Sequence, residues 1–229
     1  MTRYLSHTPA RLAAVVAALL ATVTLGACDI FTGLSSVIGY NIEVQKKIEV
    51  HAKYIGLENR TVAVMVAADM ETAYEHPTAI PNLEANIAMG IGKNVSGSKV
   101  LDPVYVINWQ HQHPNWHSMP LGEVMRELDV ERVVIIDLVE YHLNPPGNRW
   151  LWDAVATANV GIAEADGGDI DAFAEEYSVT AKFPIGTEHL SRDDASEENI
   201  EIGLQANFHD EVCWLFYDHI EDKYPELAH

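Results

Sequence analysis

Basic residues are scarce: the 229-residue chain has 14 Lys and Arg against 34 Asp and Glu, a formal charge of −20 at neutral pH. So acidic a surface repels phosphate backbones and anionic lipid headgroups, which argues against nucleic acid as a partner and against a basic membrane-binding face. Cysteine occurs only twice, as Cys28 and Cys213; if Cys28 is modified, Cys213 has no intramolecular partner and stability must come from an ordinary apolar core. Long apolar runs are missing too. The longest, Leu12 to Leu25, is too short to span a bilayer and has the length of a signal-peptide core. There is no internal repeat. Gly90-Ile-Gly92-Lys93 lacks the remaining positions of either phosphate-binding glycine fingerprint.

The first segment, MTRYLSHTPARLAAVVAALLATVTLGACD, carries Arg3 and Arg11 ahead of its apolar run and has no acid before Asp29. It ends in Leu25-Gly26-Ala27-Cys28, which resembles the lipobox of bacterial lipoproteins. The resemblance implies cleavage after Ala27, a diacylglycerol thioether on Cys28, and often an acylated new amino terminus. One acyl chain binds a membrane only marginally, whereas two or more anchor stably. Removing residues 1–27 leaves 12 Lys and Arg against 34 Asp and Glu, a charge of −22, so the lipid is the expected membrane contact. Asp29 resembles an inner-membrane retention signal of some bacteria, and the choice between inner and outer membrane stays open. The expected layout is a lipoprotein signal peptide at 1–27, a lipid-anchored tether or early edge element at 28–44, and one α/β domain at 45–229. No cofactor is expected.

TVAVMVAAD (61–69) is a β-branched apolar run and predicts a buried strand. Leu83, Ile87 and Ile91 recur every fourth position and predict a helix ending near Lys93-Asn94, although Gly90 and Gly92 weaken it. Asp102-Pro103 is an N-cap followed by a first-turn proline, predicting a helix to about His111 that Pro114 stops. Ser118, Pro120 and Glu123 predict a second short helix to about Leu128. RVVIIDLVEY (132–141) is apolar on both alternations, as a central strand is. After the turn cluster Asn144-Pro145-Pro146-Gly147-Asn148, alternation from Trp152 to Ile162 predicts a long strand with one buried face, and YSVTAKFP pairs back against it. Residues 196 to about 221 place Ile200, Leu204, Phe208, Val212, Leu215, Phe216 and Ile220 on one stripe of a long closing helix, which leaves Cys213 a small buried hydrophobe. The fold expected is α/β (α+β), a mixed sheet of four to five strands packed against helices.

LGAC, TVAVMV, EHP, LDP, LDVERVVIIDLVEY, PGNRWLW and ANVGIAEAD together resemble a group of bacterial envelope lipoproteins. Their domain is similar to that of curli-secretion lipoproteins and to the amino-terminal domain of the Tol-Pal system's periplasmic protein. The resemblance spans roughly residues 45–220 and rests on hydrophobic pattern and turns. It implies a non-enzymatic binding or assembly component facing the periplasm, with another envelope protein as partner. No long amphipathic hairpin suited to a pore is present.

Three clusters could carry other chemistry. His111, His113 and His117 in QHQHPNWHS are candidate metal ligands, since imidazole suits zinc and copper. On a helix, however, His111 and His113 lie two positions apart and diverge, and only a loop folding His117 back would bring three nitrogens together. The other reading is a helix end and a loop pinned by Trp116 and Met119. Asp166, Asp169 and Asp171, with Glu175 and Glu176 downstream, supply oxygen ligands of the kind calcium prefers, without the spacing of a twelve-residue calcium loop. A glycine-bearing hairpin turn explains them equally well. Asp137, inside an apolar strand with Glu140 close by, is the candidate for a catalytic acid in a hydrolase, with no nucleophile recognisable around it.

Overall fold

The structure, a computed structural model, describes residues 47–145, 147, 148, 150–185 and 190–223. The leader, Cys28 and the expected tether lie outside these residues. In chain order the first elements are β1 (Lys47–Val50), β2 (Thr61–Ala68), α1 (Met70–Glu75), α2 (Ala79–Asn94), β3 (Lys99–Val100), α3 (Pro103–Gln112), a 3-10 turn (Trp116–Ser118) and α4 (Leu121–Leu128). They are followed by β4 (Arg132–His142), β5 (Leu151–Trp152), β6 (Ala154–Glu164), β7 (Phe173–Phe183), β8 (Leu190–Ser191), α5 (Glu197–Cys213) and β9 (His219–Asp222). Residues 49–220 form one compact unit; of a second unit, only 47–48 and 221–223 are described.

A mixed five-stranded sheet in the order β3-β2-β4-β6-β7 organises the compact unit. β2 runs parallel to β3 and β4, while β4–β6 and β6–β7 are antiparallel. The hydrophobic patterns and the register agree. Val64, Val134 and Ile162 lie abreast, as do Val66, Ile136 and Val160, and this face is buried under α2 and α5. The opposite face carries Ala63, Met65 and Val133 beneath Val106 and Trp109 of α3, Trp116, and Val124, Met125 and Leu128 of α4. β4 is apolar on both alternations because helices flank both of its faces over its first half.

Local chemistry fixes the helices. Asp102 accepts from Val104 N–H at 2.9 Å with Pro103 in the first turn, as expected. Asp69 caps α1 by accepting from Thr72 N–H at 2.7 Å, and Ser196 caps α5 by accepting from Asn199 N–H at 3.3 Å. Gly90 stays inside α2 because α5 approaches closely there: a Cβ at that position would lie 2.7 Å from Cys213 Sγ. Cys213 itself is fully buried, and burial pushes its thiol up to about 12.

Two expectations need correction. The closing helix ends at Cys213, not near residue 221. Leu215 and Phe216 are buried in a turn whose backbone bonds to Val212 and Cys213, so the apolar spacing continues after the helix has stopped. Ile220 is 67% exposed and belongs to β9. The helix before β4 begins at Leu121 behind Pro120 and has no side-chain cap, because Ser118 ends the 3-10 turn.

Glu84 of α2 is completely buried against β2 and α3. Val66 N–H donates to its Oε2 at 3.0 Å, whereas its Oε1 and the Nε2 of Gln110 have no hydrogen-bond partner. Burial pushes the carboxyl up to about 7, opposed by Val66 N–H and by the Gln110 amide facing it. Because the folded value lies above the ordinary 4.5, the native state binds the extra proton between those pH values, and stability falls as pH rises through that window. Glu84→Gln should therefore become more stable than the native chain by about 3 kcal/mol at pH 8 and by little near pH 4. Denaturant midpoints across that range would contradict this if the two proteins stayed parallel. Phe208, fully buried between α5 and the sheet, should cost about 3–5 kcal/mol as Phe208→Ala in the same assay, and an unchanged midpoint would contradict its burial.

Candidate functional site: a cleft where the second helical layer stops

The α3–α4 layer covers only the β2–β4 half of its face, and the side chains in register change accordingly. The row Ala63, Val133, Ala163 is buried. The next row is Met65, Ile135, Gly161 and Glu176, and beyond it come Ala67, Asp137, Asn159 and Ser178. Apolar gives way to polar as cover is lost. Along that line lies a cleft of about 500 Å³, with Trp116, Met119, Leu121, Ile135 and Phe173 on its apolar walls and His117, Asp137, Asn159 and Glu176 as its polar groups. Gly161 forms part of the floor because the Phe173 ring lies over it: a Cβ there would sit 2.6 Å from the ring.

Trp116 is buried and packs against the His117 ring, with centroids 3.8 Å apart and the rings tilted by 32°. Burial holds His117 below its usual range, opposed by the charge of Asp137 across the cleft. The imidazole is therefore neutral at pH 7. The cleft thus offers two carboxylates and an amide to hydrogen-bond donors, beside an aromatic and aliphatic wall. Among the described residues that line it there is no hydroxyl or thiol; its polar groups are carboxylates, an amide and an imidazole.

The other candidates are placed apart. His111 is exposed at the end of α3. His113 stacks on Trp109 at 4.4 Å, with Nδ1 2.8 Å from the Trp109 carbonyl and Nε2 3.3 Å from Glu127. Both of its ring nitrogens are engaged within α3 and α4. Among the described residues no group of three His, Cys, Asp or Glu is placed to hold a metal ion. Asp166 pairs with Arg132 at 2.6 Å and with Arg60 at 3.1 Å, and the Arg132 bond holds its carboxyl below the usual range. Asp169 accepts from Asp171 N–H, and Asp171 accepts from Gly122 N–H at 2.9 Å, tying the β6–β7 turn to α4. Glu140 accepts from Thr157 at 3.3 Å on the open face.

Asp137 and the 111–117 stretch stood out in the sequence, and Glu176 only as a carboxylate downstream of the Asp166–Asp171 cluster, while Asn159, Gly161 and Phe173 did not. The signal was there as the non-apolar alternation of β6. Reading it as a site requires the register that sets Asn159 beside Asp137.

No family model matches the chain, and no curated protein matches it. Solved structures similar to it include the PelC dodecamer from Paraburkholderia phytofirmans, at 10% identity and TM-score 0.40 over 75% of this chain and 97% of that one. Lipoprotein GNA1162 from Neisseria meningitidis is 10% identical with TM-score 0.42 over 64% of this chain and 92% of that one. Protein XCC0632 from Xanthomonas campestris is 9% identical with TM-score 0.42 over 72% of this chain and 83% of that one. At these levels no residue role passes from any of them to this chain.

Trp116→Ala should empty the wall of the cleft and cost about 3–5 kcal/mol, whereas exposed His111→Ala should stay within about 0.5 kcal/mol. Equal losses in thermal or denaturant unfolding would contradict this placement of the loop.

Proposed function

We propose that this chain is a lipid-anchored component of a bacterial cell envelope, held through Cys28 and facing the periplasm, whose domain binds other proteins and carries out no chemistry of its own. The anchor rests on the order of Arg3 and Arg11, the Leu12–Leu25 run and Leu25-Gly26-Ala27-Cys28. The observation that carries the binding role is β7, an 11-residue strand at the sheet edge with most of its side chains exposed. Such an edge is a template for adding a strand from a partner. The sequence resemblance to curli-secretion lipoproteins and to the Tol-Pal periplasmic protein's amino-terminal domain supports the same reading. A small ligand bearing hydrogen-bond donors is the second reading, favoured by the cleft at His117, Asp137, Asn159 and Glu176.

The anchor is tested by membrane fractionation and intact-mass analysis of the native protein. The expected result is a membrane-bound chain beginning at Cys28 with acyl mass on it, and Cys28→Ser should be released from membranes or left unprocessed. An unmodified Cys28, or a mature terminus elsewhere, would contradict the proposal.

A further inference from the structure

Asn207 of α5 donates from Nδ2 to the Lys182 carbonyl at 2.9 Å, so that carbonyl points away from β6. Alternate residues of a strand share this orientation, so Thr180, Ser178 and Glu176 also turn their N–H and C=O outward. The Thr157 and Thr180 hydroxyls lie 3.2 Å apart across β6 and β7, the close approach typical of a pair that exchanges no backbone bonds. Among the described residues no backbone hydrogen bond reaches Glu176, Ser178 or Thr180 from another element.

Charge then selects an occupant. Glu176 and Lys182 stand on the same face of β7, opposite Gly161 and Val155 of β6, and neither has an ion-pair partner among the described residues. In an antiparallel pair of β7 strands centred on Val179, Glu176 of each copy faces Lys182 of the other, and Ser178 faces Thr180. Centring on Ser178 instead sets Glu176 against Thr180 and forfeits both ion pairs. We infer that two copies of this chain join edge to edge through β7, centred on Val179, continuing the sheet across both. The Lys182 carbonyl has a second lone pair for the incoming N–H while Asn207 keeps the first. This inference rests on the binding role proposed above and names the partner as a second copy.

The test is sedimentation equilibrium of the full-length lipidated protein in a density-matched detergent at low salt. The native chain should dimerise. Glu176→Lys and Lys182→Glu should each set like charges opposite each other and weaken association about tenfold or more. The double exchange should dimerise again, and an equimolar mixture of the two single variants should form a heterodimer, which also shows that both are folded. Ser178→Pro removes an outward N–H without touching the β6 ladder and should also give monomers. A native chain that stays monomeric, or single reversals that dimerise as well as it does, would overturn the pairing. If that monomer still fractionates with membranes, self-pairing alone fails and the anchored-binding role stands.

Discussion

Unequal coverage of the two sheet faces is the constraint from which the rest follows. One face is sealed by α2 and α5 across β2, β4 and β6, with Phe208 and Leu204 fully buried against it. The other is sealed only over β2 and the first half of β4. Where the α3–α4 layer ends, apolar side chains would lose their cover, and Asp137, Asn159 and Thr157 take over most of the open face, with Val139 left exposed. The cleft is the step between covered and uncovered sheet. The exposed edge strand is the far margin of the same open half.

This asymmetry also explains what was legible in the sequence. β2, β4 and β6 announced themselves because burial on one or both faces writes a period or a run, and α3 because Asp102-Pro103 marks its start. The short pieces β3, β5, β8 and β9 carry too few residues for any period. The closing helix was overextended because Leu215 and Phe216 remain core residues after the backbone has turned, so apolar spacing outlived helical geometry. Asp137 was visible as an anomaly in an apolar strand. Its grouping with Asn159 and Glu176 was not, because strand pairing brings them together from distant stretches of sequence.

The acidic clusters show how similar residue types diverge in role. Asp166 is consumed by Arg132, the one buried cation among the described residues, and by Arg60, which locks the end of β6 to the start of β4. Asp171 holds the β6–β7 turn onto Gly122 of α4. Glu84 stands apart, buried with one oxygen unpaired, and couples α2 to β2 and α3 at a cost that depends on pH. Asp137 and Glu176 line the open cleft beside apolar walls, and so they are placed for recognition.

Residue-resolved amide hydrogen exchange on the full-length protein tests the open half of the sheet most directly. The account predicts that amides of β4 stay slow at every protein concentration. Those of Ser178 and Thr180 should exchange quickly in dilute samples and slow as concentration rises. Protection of Ser178 and Thr180 equal to that of β4, independent of concentration, would mean the chain covers its own edge and would contradict the account.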